Sequence, residues 1–186
     1  MSIGYYKLAK YMGAKCHFDL SYYFADRLKE GWTYKAAHAV ADLYVKTDNG
    51  WSIDIDGKTY DVIETDKRKR LPVTINGVAD KLGAQVDQII SCGRKYLLDW
   101  KFTKDNEALD RIIDEARQQI AYYAWILGDK DVVGGAYIVA SLTSKEVLTL
   151  GTFDFEPNEP ERALIRRLNE LPGYENLNYK DIVRSK

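Results

Sequence analysis

Residues 84–102 read AQVDQIISCGRKYLLDWKF. Two apolar, β-rich runs, AQVDQIIS and KYLLDWKF, flank the turn Cys92-Gly93-Arg94, a strand–turn–strand pattern. Alternate residues of a strand point the same way, so Asp99 and Lys101 share one face. Asp87 lies twelve residues before Asp99, a separation that suits adjacent strands joined by a short turn and sets the two side by side. Carboxylates that close repel each other unless a cation sits between them. A hard divalent ion, Mg²⁺ or Mn²⁺, binds through one or two carboxylates plus phosphate and water. Lys101 then adds positive charge near the phosphate and the water that would attack it. An ordinary salt bridge between Asp99 and Lys101 is the plain alternative, but LLDWKF is otherwise strongly apolar and a buried acid needs a reason. The stretch GVADKLGAQVDQII also fits a short helix by period. Val86, Ile89 and Ile90 favour a strand there, and residues 77–83 stay open between the two.

Upstream, FDLSYYFADRLKEG and WTYKAAHAVADLYVK have helical spacing, the second opening at a Thr33 N-cap, so residues 1–47 read as N-terminal helices. WSIDI and KTYDVI around Asp56-Gly57 form a hairpin signal, and LPVTI is a further strand. Downstream, residues 106–127 are the clearest helix, capped by Asp105 or Asn106 and stopped by Gly128. GGAYIVASL and KEVLTLGTFDF pair as strands, and EPERALIRRLNEL is a last helix with proline in its first turn. The catalytic sheet with its long helix spans 48–155, and 156–186 hold the C-terminal helix and tail. No repeat or linker appears, so the expectation is one α/β domain, a central sheet flanked by helices.

Asp87, the triplet Asp99-Trp100-Lys101 and, on the next helix, Gln119-Ile120-Ala121-Tyr122-Tyr123 follow one another in an order that resembles the PD-(D/E)XK nuclease superfamily. The Q-x-x-x-Y element is similar to that of the RecB-like branch, which includes Cas4-type and many phage exonucleases. His38, with Asp42 four residues on, resembles that branch's N-terminal histidine. The resemblance implies a restriction-endonuclease-like core with a mixed sheet, and a Mg²⁺- or Mn²⁺-dependent deoxyribonuclease, more exonuclease than sequence-specific cutter. It implies Asp87 and Asp99 as metal ligands, with the Trp100 carbonyl and His38 as further ligands. Lys101 would position the attacking water, while Gln119 and Tyr123 would hold the site or the phosphate. Single- or double-stranded DNA would be the substrate, in repair, recombination or phage DNA processing, with a helicase, recombinase or annealing protein as partner. A bacterial or phage cytoplasmic setting follows from the same likeness. Ala84 stands where the branch usually has glycine, which leaves Asp80 as the alternative first acid. A nuclease-fold module that binds nucleic acid or a protein without cutting is the alternative function.

The chain has 186 residues, 46% of them hydrophobic, with a formal net charge of −1, which excludes a disordered chain. No run is long enough to span a membrane, and the first residues lack a signal-peptide core. Two cysteines, Cys16 and Cys92, exclude an iron–sulfur site and read as buried thiols in a reducing compartment. Residues 67–104 carry nine basic residues against three acids, a charge of +6, which leaves −7 elsewhere. Lys67, Arg68, Lys69, Arg70, Arg94, Lys95 and Lys104 from this segment are therefore candidate DNA contacts. Lys67–Arg70 reads otherwise as a solvated turn before a strand.

Overall fold

A computed structural model describes residues 36, 39–48, 50–104 and 108–185, apart from the Asp66 side chain. The expected helix at 18–31, the Thr33, Asp105 and Asn106 caps, Cys16 and His38 lie outside the described residues. Among the described residues, eight strands form one sheet: β1 (Tyr44–Thr47), β2 (Gly50–Ile55), β3 (Lys58–Ile75), β4 (Val78–Ser91), β5 (Lys95–Thr103), β6 (Val132–Ser141), β7 (Val147–Asp154) and β8 (Ile182–Arg184). The order is β1-β2-β3-β4-β5-β6-β7, with β8 paired to β3. Every pair is antiparallel except β5–β6. A parallel pair needs a long crossover, and helix α1 (Leu109–Leu127) supplies it. Helix α2 (Glu159–Asn169) follows β7. The architecture is α/β with a large mixed sheet. Among the described residues, no helix is long and apolar enough to cross a membrane.

Two hairpins close on paired left-handed residues, Asp56-Gly57 (φ 51° and 74°) and Asn76-Gly77 (φ 49° and 79°). Both have the signature of a tight two-residue turn that matches strand twist. The second turn joins the longest strands, so residues 77–83 belong to a strand from Val78 onward.

The structure corrects three expectations. Lys67–Arg70 is no turn: it lies within β3, in register with Val86 through Gly83 of β4. The flanking alternation explains this, since Leu71, Val73 and Ile75 are buried on one face. Tyr44–Thr47 is a strand rather than the end of a helical segment, because Tyr44 inserts into the core while the backbone pairs with β2. Cys92 is exposed in the β4–β5 turn.

One face of the sheet buries Tyr44, Ile53, Tyr60, Leu98, Trp100 and Ile138, with Ala36, Val40 and Ala41 packed on them. The other face carries the two helices. Ile112, Ala116, Ile120 and Ala124 recur every four residues along α1 and form its buried stripe. Gly135 on β6 sets how closely that helix approaches. A Cβ there would lie 2.6 Å from Ile120 Cγ2 and 2.5 Å from Phe153 Cζ. Arg117 fastens α1 to the start of α2 through Glu159, at 2.5 and 2.8 Å. This close docking holds the next residues of α1 over β5.

Candidate active site

The β4–β5 ladder ends at Gln88 opposite Leu98. One step further the strands separate, and the Asp87 carboxylate takes the place of the next backbone acceptor. Its Oδ2 accepts the Trp100 N–H at 2.6 Å. Before this point β4 alternates, with Leu82, Ala84 and Val86 buried and their neighbours exposed. From Asp87 to Ile90 every residue is buried. Asp87 is therefore the first residue of β4 with both faces of the strand covered. Asp87 and Asp99 are each only 6% exposed.

Lys101, two residues along β5 on the face of Asp99, stands 2.9 Å from Asp99 Oδ2. It donates to Gln119 Oε1 at 2.6 Å. Gln119 Nε2 in turn donates to Tyr123 Oη at 3.0 Å and, more loosely, to Asp99 Oδ1 at 3.4 Å. The i, i+4 spacing on α1 aligns Gln119 and Tyr123 on one helix face, and that face meets β5. The structure thus brings together Asp87, Asp99, Lys101, Gln119 and Tyr123. The alternative acid Asp80 lies elsewhere, exposed on the β3–β4 arm and bonded to Tyr174 Oη at 2.9 Å.

Behind the site, Trp100 Nε1 donates to Tyr44 Oη at 3.0 Å, which donates to Gln88 Oε1 at 2.5 Å. This buried chain holds the residues on either side of the fork, Gln88 beside Asp87 and Trp100 between Asp99 and Lys101. Sequence reasoning missed Tyr44 and Gln88. The one available signal was a glutamine inside an apolar strand, since a buried amide has to be hydrogen-bonded.

Burial raises both carboxyl pKa values. For Asp87, already lifted well above the ordinary range by desolvation, the charge of Asp99 lifts it further, and the Trp100 N–H and Lys101 only partly offset this. For Asp99 desolvation again leads, opposed by Lys101. The Tyr123 hydroxyl is also pushed up, by burial and then by the charge of Asp99. Protein groups thus leave the acid pair under-compensated. Asp99 Oδ2 is buried without an aligned hydrogen bond, so its contact with Lys101 is purely an ion pair. Two facing carboxylates and an all-oxygen donor set fit a hard divalent ion. Among the described residues, no group of three or more His, Cys, Asp and Glu gathers around such an ion. Water and substrate oxygens would complete its shell.

The site opens into a cleft of about 690 Å³ between α1 and α2, lined in part by Gly83, Lys101, Gln119 and Tyr123. Arg166 and Arg167 of α2 also line it, and sequence reasoning did not select them. The helical face of a cation is readable from sequence, but which neighbour that face meets is not.

The basic residues singled out from the sequence do not gather at this site. Lys67 pairs with Glu64 at 2.9 Å, and Lys69 donates to the Leu127 carbonyl at the end of α1 at 2.6 Å. Arg94 pairs with Asp154 at 3.3 Å and Lys95 with Asp129 at 2.8 Å. Arg94 ends the turn and Lys95 begins β5, and six residues of strand put Lys95 about 20 Å from Lys101. Arg68 and Arg70 are exposed on β3. Lys104 follows β5, and its carbonyl accepts from Thr143 Oγ1 at 3.2 Å.

No family model and no curated protein matches the chain. Among solved structures, the chain is similar to one titled "Crystal structure of SSO0001", with 13% identity and a TM-score of 0.43. The likeness covers 57% of this chain and 48% of that one, so the chain spans about half the length of that protein.

Proposed function

We propose that this protein is a Mg²⁺- or Mn²⁺-dependent deoxyribonuclease with a restriction-endonuclease-like core, of the PD-(D/E)XK type. The observation that carries the reading is one ammonium, Lys101, held between Asp99 and Gln119 beside a buried and under-compensated carboxylate pair. A structural ion pair would not require a second buried acid at the same point.

Asp87 and Asp99 would hold the ion, which when bound supplies Lewis-acid polarisation of the phosphodiester and a more acidic water. The chain's own groups do the rest. Asp99 and Gln119 fix the Lys101 side chain. An ammonium has three donors, so Lys101 keeps one for a phosphate oxygen and for the charge that grows on it during attack. Tyr123 Oη accepts from Gln119 and so keeps its own proton to donate into the cleft. Water attacks phosphorus in line with the leaving oxygen, the new P–O bond replaces the old one, and the departing oxygen takes up a proton. Exonuclease action, with a partner helicase, recombinase or annealing protein, is consistent with a single sheet that carries no base-reading helix among the described elements.

Purified protein is expected to degrade end-labelled linear DNA with Mg²⁺ or Mn²⁺ and to stop with EDTA. Asp99→Ala and Lys101→Ala should each lower the rate by about a hundredfold or more. Unchanged degradation by either variant would overturn the assignment. DNA retained in a gel with no metal-dependent loss would instead favour a non-cutting, nucleic-acid-binding module.

A further inference from the structure

The cleft beside Lys101 has a charge pattern of its own. Three arginines line it, and two of them are held by acids. Arg111 is paired with Glu115 at 3.5 Å, and Arg167 with Glu170 at 3.1 Å. The third acid on the lining, Asp114, accepts the Gln118 amide at 2.6 Å. Arg166 is exposed and, among the described residues, forms neither an ion pair nor a hydrogen bond. It shares the lining with Lys101 and Tyr122. Tyr122 is half-buried, its ring centroid 5.7 Å from that of Tyr123.

We propose that this cleft is the track for single-stranded DNA next to the scissile bond, with Arg166 on a neighbouring phosphate and Tyr122 offering its ring to a base. The proposal rests on the nuclease reading and names the form of its substrate. Size is compatible with one strand: about 690 Å³ lies in the range that encloses a small ligand, ample for a nucleotide. Charge supports it too. Asp114, Glu115 and Glu170 on the same lining disfavour the additional phosphates that a second strand would bring. A stacking ring beside an uncommitted cation is the combination that binds single strands without reading sequence.

The test uses the full chain and measures two things: anisotropy of a fluorescent oligothymidine in EDTA, and cleavage of the same oligonucleotide with Mn²⁺. Arg166→Gln should weaken metal-free binding about tenfold and make its salt dependence shallower by about one phosphate contact. Arg162→Gln is the control, since Arg162 bonds Glu156 and the Pro157 carbonyl and does not line the cleft. It should bind as wild type does. Arg166→Glu is a second probe, because Arg166 is exposed, so the fold tolerates the change while the cleft loses that cation. It should also lose the oligothymidine while its melting temperature holds. Binding by Arg166→Gln equal to wild type, or a wild-type preference for blunt duplex, would overturn the track. Cleavage that persists alongside that result would refute the track alone. A wild type that never cleaves but binds through Arg166 would refute hydrolysis and support the track.

Discussion

Replacing Asp87 by Asn should make the metal-free protein more stable while abolishing cleavage. The Asn Oδ1 can go on accepting the Trp100 N–H that Asp87 Oδ2 accepts at 2.6 Å. Its amide also brings a donor to face Asp99, whose Oδ2 is buried without an aligned hydrogen bond. Like-charge repulsion becomes attraction. A hydrogen bond to a charged group contributes about 1.5–3 kcal/mol, which bounds the gain from above. In a chain of this length each kcal/mol moves Tm by about 2–4 °C. The pH dependence gives a second readout. Burial, with Asp99 second, holds the Asp87 pKa above its unfolded value. Such a group contributes stability that is fully present below the unfolded pKa, near about 3.9, and is lost as pH rises through the folded value. Wild type in EDTA should therefore lose stability as pH rises from about 4, and Asp87→Asn should lose less. Added Mn²⁺ should raise the wild-type Tm by mass action and the variant's Tm by less. The assay is a thermal melt in EDTA and in Mn²⁺ across that pH range. A variant no more stable than wild type in EDTA at pH 8, or one stabilised equally by Mn²⁺, would refute the reasoning.

Gln119→Ala removes the acceptor that holds Lys101 at 2.6 Å. Steady-state kinetics should show kcat falling about 10–100-fold with KM little changed, because positioning rather than binding is lost. A rise in KM alone would contradict this. Lys69→Met removes the donor to the Leu127 carbonyl, one of the free carbonyls at the end of α1. Urea unfolding should show a loss of about 0.5–1.5 kcal/mol, and an unchanged midpoint would show that water serves that carbonyl equally well.

The parts of the site legible in the sequence are those fixed by local period. Asp99 and Lys101 share a face because a strand alternates, and Gln119 and Tyr123 share one because a helix repeats every 3.6 residues. The short turn after Ser91 then brought Asp87 opposite Asp99. What could not be read depends on contacts remote in sequence. Lys67–Arg70 looks like a solvated turn because four cations in a row hide the alternation that continues at Leu71, Val73 and Ile75. Tyr44 reads as the end of a helix until its hydroxyl is seen joining Trp100 to Gln88 across 56 and 44 residues. The Asn76-Gly77 turn was the missed local signal, and it would have extended β4 back to Val78.

The charge of the chain shows the same limit at a larger scale. A sum of +6 over residues 67–104 suggests one basic surface, but a strand sends alternate residues to opposite faces, and acids far along the chain answer several of them. Asp154 takes Arg94, Asp129 takes Lys95, and the end of α1 takes Lys69. Lys101, from that segment, keeps a donor for the substrate, and the cleft it lines draws its arginines, Arg166 among them, from outside the segment. If the proposed function holds, a site with so few contacts would not rely on a broad electrostatic field to hold a polyanion. It has to gain affinity where the substrate meets the buried acids themselves. There a divalent ion would turn an under-compensated pair into the attractive centre, and the repulsion stored between Asp87 and Asp99 would become the reason the ion binds.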